Sequence, residues 1–383
     1  MEFKLGPELE LLKKSVREFA QCEIAPRVDE MEKTDQVPVD VIKKMAALGF
    51  LGVAAPQKYG GTGMGNLARM ILVEEVARVS AAMAMTIQCA HFGIGAVLEG
   101  GSEAIRGKYL PSLIAGDIIC AAGVTESAGG SDPASNTTEA ADMGDHFILN
   151  GRKTFISNSH ISDIAMIVAK TKDAPQKEFT AFLVDKQMGG FRPGRVEKKI
   201  GFHGCVTGEL ILENCPVPRE NILGREGQGL ALALKGITQY GRTGIVAMSV
   251  GLIHASLDAA VKFASERVLY GKPITSLQSV QFKTAEMYAD LEASRLLAYR
   301  AAWLIDQGER ADLEVAAAKF FCSEAALRCT RKAMDIMGAY GCMKEFAVER
   351  YCRDAQLLVP ADGTNDIMRV VAGKMVSAAV RKQ

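Results

Sequence analysis

Apolar positions in the first third of the chain recur at helical spacing: Leu12, Val16, Phe19 and Ala20 share one face of a stretch that Pro7 opens at a first-turn position. Pro26 closes that stretch, and the helical pattern continues to about Leu113. Near Cys120 the texture changes to short β-prone runs, in FILNGRKTFIS, IAMIVAK, FTAFLV and GELILENCPVP. Inside the first run, Asn150-Gly151 predicts a two-residue hairpin, because both central positions of such a turn need positive φ. Past Gly224 to Gly229 the helical period returns and lasts to the end, through Met287, Leu291, Ala298, Ala302 and Ile305, then Leu313, Ala317, Phe320 and Phe321. The pattern predicts a mostly α protein with an inserted β domain: an N-terminal helical region over 1–115, a middle β domain over 116–226, and helices over 227–383 long enough for an antiparallel bundle.

With 383 residues, 48% of them hydrophobic, the chain can bury a large core. Lysine plus arginine and aspartate plus glutamate both total 45, so no net field favours nucleic acid or an acidic membrane surface, and a small molecule or a protein is the expected partner. The nine cysteines are dispersed without a CxxC pair or a metal-ligand cluster, which predicts free thiols in a reducing compartment and no metal site. The start, MEFKLGPELELLKK, lacks an apolar leader core and an arginine-rich presequence, and no run of about 18 apolar residues occurs. The expectation is a cytoplasmic protein without membrane insertion; a mitochondrial matrix protein whose presequence had been removed would read the same way.

Gly63-Met-Gly65-Asn-Leu-Ala68 fits a loose dinucleotide fingerprint but fails on context, since the chain reads AAMAMT where a ribose-binding acid belongs. More informative is GVTESAGGSDPAS, residues 123–135, which joins a β-prone run to small residues and hydroxyls. Backbone N–H groups there, with the Thr125 and Ser131 hydroxyls, can bond carbonyl or phosphate oxygens, although such a stretch taken alone is an ordinary loop. KTFISN offers Phe155 as a flat apolar surface and Ser157 as a hydroxyl two residues on; the plain alternative is a core aromatic beside a turn serine. Asp362, in LLVPADGTNDI, is either a turn former or a base.

In this order and spacing, PQKYGGTG, VTESAGGSD, NGRKTFISN, VPRENILGREGQG, ASERVLYGKPITSLQ and RDAQLLVPADGTNDI resemble the acyl-CoA dehydrogenase family over essentially the whole chain. The resemblance implies an N-terminal helical domain, a β-barrel-like middle domain and a C-terminal four-helix bundle, with FAD between the last two, usually in a homotetramer. It places Val124, Thr125 and Ser131 at the flavin and thioester end, Phe155 on the flavin and Ser157 at its N5 edge. Arg267, Tyr270 and Gln278 match positions that reach the FAD of a neighbouring subunit. Thr364 and Asp366 fall on the FAD side of the last motif, and Tyr240, Arg242 and Gly363 on the substrate side, Arg242 toward CoA. Where the family commonly has glutamine and then Gly-Gly, this chain has Asp335, Gly338 and Ala339, and an acid near a pyrophosphate is electrostatically awkward. His203 stands where an arginine is common and is assigned no role.

In relatives the Asp362 position carries a glutamate that removes the α-proton of an acyl-CoA thioester while the β-hydrogen leaves as hydride. An alternative base location, just before the arginine matching Arg242, is Gly241 here, which leaves Asp362 as the candidate. Burial would raise its pKa from about 3.9 toward a useful range. Being one methylene shorter than glutamate, it predicts a compact, α-branched or alicyclic acyl group of the cyclohexane-1-carboxyl-CoA type. His91, on the implied acyl-pocket wall, is either a satisfied helix histidine or a second proton acceptor allowing 1,4-dehydrogenation of a cyclohexenecarboxyl-CoA. Electron-transferring flavoprotein is the implied partner. The reverse enoyl-CoA reduction and a catalytically silent acyl-CoA-binding flavoprotein remain as alternatives.

Overall fold

The computed structural model describes residues 4–172 and 178–381; Met1–Phe3, the head of the segment weighed above for a leader, lie outside the described residues. Six helices come first: α1 (Pro7–Phe19), α2 (Val28–Thr34), α3 (Val39–Ala47), α4 (Gly65–Ala77), α5 (Ala81–Gly100) and α6 (Glu103–Ile114). Pro7 sits in the first turn of α1, where its missing N–H costs nothing. The Ser80 and Ser102 hydroxyls cap α5 and α6, each accepting from a third-residue N–H at 3.2 Å. Pro26 does not stop the helical path; it sits in a 3₁₀ turn through which the chain passes into α2.

The middle section holds β1 (Cys120–Gly123), β2 (Glu139–Asp142), β3 (His146–Ser157), β4 (Ile164–Lys172), β5 (Glu178–Asp185), β6 (Phe191–Val196), β7 (Thr207–Pro218) and β8 (Ile222–Leu223). They form one sheet in the order β6-β7-β3-β2-β4-β5-β8, with β1 parallel to β4. Phe191 of β6, Leu210 of β7, Phe147 of β3, Ala165 of β4 and Phe182 of β5 share one buried cluster. Strands far apart in the order thus meet around a common core, the arrangement expected of a barrel-like sheet.

The Asn150-Gly151 pair is not a hairpin turn. It lies inside the continuous strand β3, where the pairing to β7 slips by one residue between Leu149 and Gly151. A Cβ on Gly151 would stand 2.3 Å from Thr138 Oγ1, and the Asn150 carboxamide accepts from Asn214 N at 2.7 Å. The extra residue of this bulge lies on β7, where Glu213 and Asn214, the latter at φ 50°, stand opposite Asn150, and this long-range pairing keeps Asn150-Gly151 inside the strand.

The C-terminal helices are α7 (Gly229–Gly236), α8 (Thr243–Glu266), α9 (Gln278–Asp306), α10 (Asp312–Met337), α11 (Ala347–Leu358) and α12 (Asn365–Val380). A two-stranded hairpin, β9 (Val268–Leu269) with β10 (Lys272–Pro273), separates α8 from α9, and a π-helical turn over Ile237–Arg242 links α7 to α8. Helices α8, α9 and α10 pack on one another, with α11 and α12 against α10. Among the described residues, two helical stretches, Ala81–Gly100 and Gly229–Glu266, are long and apolar enough to cross a membrane, but 89% and 72% of their most apolar windows are buried inside the protein. Their hydrophobicity is that of core helices, with α5 at the meeting point of all three regions.

A charged node ties those regions together. Glu32, between α2's ends, accepts from Arg353 of α11 at 2.7 Å and lies 3.2 Å from His203 Nδ1 of the β section. The Asp354 carboxyl accepts from Phe202 N at 2.7 Å, and burial pushes it up to about 6 against that hydrogen bond. His203, left without a role above, is therefore a joint between regions.

Candidate active site

Asp362 sits in the turn between α11 and α12 with φ 52°, followed by Gly363 at φ 100°. Asp-Gly tolerates this left-handed pair, so the turn reading holds. The turn also drives the carboxyl inward, so the turn and base readings are compatible. Burial raises its pKa above the ordinary carboxylate range, against the pull of Lys319 and Arg242.

Three other elements converge on this carboxyl. The π-helical turn brings Gly241 so close that a Cβ there would lie 2.9 Å from Asp362 Cγ and 3.0 and 3.1 Å from its oxygens. Gly241 is thus the gap that the carboxylate fills. From α5, Gln88 Nε2 donates to Gly241 O at 3.0 Å and lies 3.4 Å from Asp362 Oδ2, while Cys89 is close enough for the Asp362 charge to help raise its thiol, which burial raises first. From α10, Lys319 is wholly buried and donates to Val359 O at 2.7 Å, Gly363 O at 2.8 Å and Asn365 Oδ1 at 2.9 Å. Its three N–H groups shape the turn from beneath, and burial lowers it to about 8.

Arg242 is buried and braces the same turn, donating through Nε to Asp362 O at 3.2 Å and through Nη1 to Thr238 Oγ1 at 3.0 Å. Tyr240 is also buried, under the Arg69 guanidinium at 5.2 Å from its ring. Thr364 caps α12, accepting from Ile367 N at 3.3 Å, and Asp366 is exposed and paired with Arg369.

The structure places His91 elsewhere. Its Nε2 is 2.9 Å from Phe50 O, and burial, reinforced by Arg69, lowers it to about 3. A neutral ring that donates through Nε2 to a carbonyl of the N-terminal region is a packed core histidine, its Nδ1 buried without a hydrogen-bond partner.

On the sheet side, Phe155 is no core aromatic. A second slip in the β3–β7 pairing, between Lys153 and Ile156, puts Phe155 at φ 57° with its ring 65% exposed. Ser157 follows on the partly covered face, and its hydroxyl reaches the thiols of Cys89 and Cys205. The loop after β1 is pinned by an ion pair, Lys153 Nζ to Glu126 Oε1 at 2.5 Å, with both side chains buried. Glu126 also accepts from Thr137 N at 2.7 Å and Thr138 N at 3.1 Å. Burial alone would raise the Glu126 carboxyl, but Lys153 and these donors hold it below its usual range. Val124 is buried inside this loop, with its carbonyl taken by Asn136 Nδ2 at 2.6 Å, while Thr125 is half-buried and Ser131 exposed.

Arg267, Tyr270 and Gln278 lie at the surface around β9 and β10, with Tyr270 92% exposed at φ 52°. Gly338 and Ala339 are exposed after α10, and Asp335 pairs with Arg331 at 3.1 Å. Neither group touches Asp362 within this chain. The Gly63–Gly65 segment needs no nucleotide: the Asp306 carboxylate occupies the α4 N-terminus, accepting from Asn66 N at 2.6 Å and Leu67 N at 2.9 Å.

Gln88, Lys319 and the Glu126–Lys153 pair were missed in the sequence. Lys319 carried a signal, a lone lysine in the apolar helical run VAAAKFF, and Gln88 a similar one in AMTIQCA.

Three sequence families match in chain order: acyl-CoA dehydrogenase N-terminal domain over residues 6–117, middle domain over 121–215 and C-terminal domain over 227–376. The chain belongs to the acyl-CoA dehydrogenase family. It is 38% identical to the cyclohex-1-ene-1-carbonyl-CoA dehydrogenase of Geobacter metallireducens, over 97% of this chain and 98% of that one. It is 37% identical to a subunit of the caffeyl-CoA reductase-Etf complex of Acetobacterium woodii, over 96% and 97% of the two chains. The structure of butyryl-CoA dehydrogenase from Megasphaera elsdenii superposes with a TM-score of 0.96 at 33% identity, covering 98% of this chain and all of that one. This acyl-CoA dehydrogenase family member is a flavin-dependent oxidoreductase whose reaction is acyl-CoA dehydrogenation or the reverse enoyl-CoA reduction. Its cofactor is FAD. The exposed Phe155 ring, set beside the pinned 124–136 loop, is a surface that fits a planar apolar ring system.

Proposed function

We propose that the enzyme removes the α-proton of a compact, α-branched or alicyclic acyl-CoA, of the cyclohexane-1-carboxyl-CoA type, with Asp362 as the base. The observation that carries this reading is the Asp362 carboxyl itself, turned inward on a left-handed Asp-Gly pair and raised by burial. A base with a raised pKa binds a carbon acid's proton more favourably than a solvated aspartate. The short side chain, its carboxylate seated in the gap at Gly241, stands back from the α-carbon and leaves room there.

FAD, when bound, supplies the hydride acceptor. For its binding the reading assigns Phe155 as the apolar platform, Ser157, Thr125, Val124 and Ser131 as the polar edge, and Thr364 and Asp366 as contacts from the bundle side. Gly363, Tyr240 and Arg242 line the thioester side. Arg267, Tyr270 and Gln278 serve the FAD of a neighbouring subunit in a homotetramer, and Asp335, Gly338 and Ala339 are the remaining FAD contacts. Support comes from the β9–β10 hairpin, which leaves Val268, Leu269 and Tyr270 exposed in the single chain. The same reading keeps domain divisions after residues 115 and 226, where helix gives way to sheet and sheet to helix.

Electron-transferring flavoprotein is the proposed electron partner, supported by the Etf-linked relative from Acetobacterium woodii. That relative's name also favours the reductase direction as a second reading, whereas the burial that lowers His91 to about 3 weighs against the His91-dependent 1,4-dehydrogenation. A panel of CoA thioesters mixed anaerobically with the FAD-loaded enzyme tests the substrate. Fastest flavin bleaching is expected from cyclohexane-1-carboxyl-CoA, and faster bleaching by butyryl-CoA than by every branched or cyclic member refutes the assignment. Asp362→Asn is expected to bind thioester with a spectral shift and no bleaching.

A further inference from the structure

Gln88 is 1% exposed on α5, among apolar neighbours where methionine or leucine would pack at lower cost. Its Nε2 faces two acceptors, Gly241 O at 3.0 Å and Asp362 Oδ2 at 3.4 Å. These two oxygens fix the amide's orientation, since the flipped form would set oxygen against oxygen. The other end, Oε1, is buried without a hydrogen-bond partner. Leaving a buried acceptor unpaired is unfavourable, and a chain that keeps such a group at the contact of three elements retains it for what the donor end does.

The packing around the amide is as close as that around the carboxylate. A Cβ on Gly244, one turn along from Gly241, would stand 2.0 Å from Gln88 Cγ and 2.8 Å from Nε2. Two glycines on one face of the π-turn and α8 thus open adjoining seats, Gly241 for the carboxylate and Gly244 for the amide. Lys319 from α10 spends its N–H groups on Val359, Gly363 and Asn365, and Arg242 from the π-turn bonds Thr238 and the Asp362 carbonyl. Cys89 is the third titratable group facing Asp362, from α5 itself. Among the described residues, the Gln88 amide is therefore the side-chain donor within reach of the carboxylate.

We propose that Gln88 is a positioning residue for Asp362: its amide, anchored on Gly241 O, clips the carboxylate in one orientation across the contact between the N-terminal and C-terminal helices. This rests on the reading of Asp362 as the base. A donor favours the ionised carboxylate, so removing it moves the acid limb of the rate profile upward.

The test uses FAD-loaded enzyme and single-turnover bleaching across the acid limb, with whichever of butyryl-CoA and cyclohexanecarboxyl-CoA reduces the wild type faster. Gln88→Met keeps length and removes the donor. It is expected to shift the acid limb up by roughly one pH unit, the weak end for a hydrogen bond to a charged acceptor, and to lower the limiting bleaching rate with the half-saturating thioester concentration little changed. Gln88→Glu keeps the shape and places an acid beside the base, so its limb is expected to move further up; it also serves if the methionine variant fails to fold. Folded, loaded variants whose pH profiles superpose on the wild type overturn the proposal. Asp362→Asn separates the two ideas: if it still bleaches, the base assignment itself has failed, whatever Gln88 does.

Discussion

Gly241→Ala adds one methyl group against the proposed base, and the structure sets the size of its effect. The new Cβ would stand 2.9 Å from Asp362 Cγ, whereas ordinary contact begins at 3.4 Å, so the carboxyl must retreat by the difference of 0.5 Å. If a misplacement of about 1 Å costs about 10²-fold in rate, half of that costs about tenfold. Stability should change little. Alanine gains about 1 kcal/mol of helix propensity over glycine, which offsets the lower end of the roughly 1–3 kcal/mol cost of overpacking. The assay is anaerobic stopped-flow bleaching of the flavin band by a competent thioester, with flavin content and thermal midpoint measured on the same preparation. Gly373→Ala on α12, where an added Cβ meets nothing within 4 Å, is the control for a harmless glycine replacement. A loaded Gly241→Ala enzyme that bleaches as fast as the control would refute the claim that Asp362 needs that gap.

Two further outcomes follow from buried charges. Asp354 ionises near 6 when folded and near 3.8 when unfolded, so its share of stability is fully present below pH 3.8 and is lost as pH rises through 6. That loss amounts to about 3 kcal/mol; urea midpoints of wild type minus Asp354→Asn, which cannot ionise, should fall between acid and neutral pH, and a flat difference contradicts the burial argument. Lys153→Met leaves the Glu126 carboxylate unpaired in the protein interior and should cost about 3–5 kcal/mol, with faster loss of flavin from the loosened loop. Adding Glu126→Gln should restore most of the thermal midpoint, and no recovery in the double variant would show that the ion pair is not what pins the loop.

The order of helices, sheet and helices was legible in the sequence because helical period and short β-prone apolar runs are local properties, written by Val16 and Phe19 on one side and FTAFLV on the other. The family motifs likewise carried Asp362 and Phe155 as chemical candidates. Local signals failed where distant partners decide. Asn150-Gly151 has the residues of a hairpin, yet its pairing with β7, which carries the bulge at Glu213-Asn214, keeps it inside a strand, and only the fold shows that Phe50 O takes the His91 Nε2. The turn-former reading of Asp362 does not compete with the proposed base role, since the left-handed backbone is what turns the carboxyl inward. Only the tertiary structure could bring Gln88, Gly241 and Lys319 around it, from positions 274, 121 and 43 residues away in the chain. Side-chain periodicity is fixed by a residue's neighbours in sequence, whereas the burial, donors and free volume that set a carboxylate's pKa and orientation come from segments that meet only when the three regions close on one another.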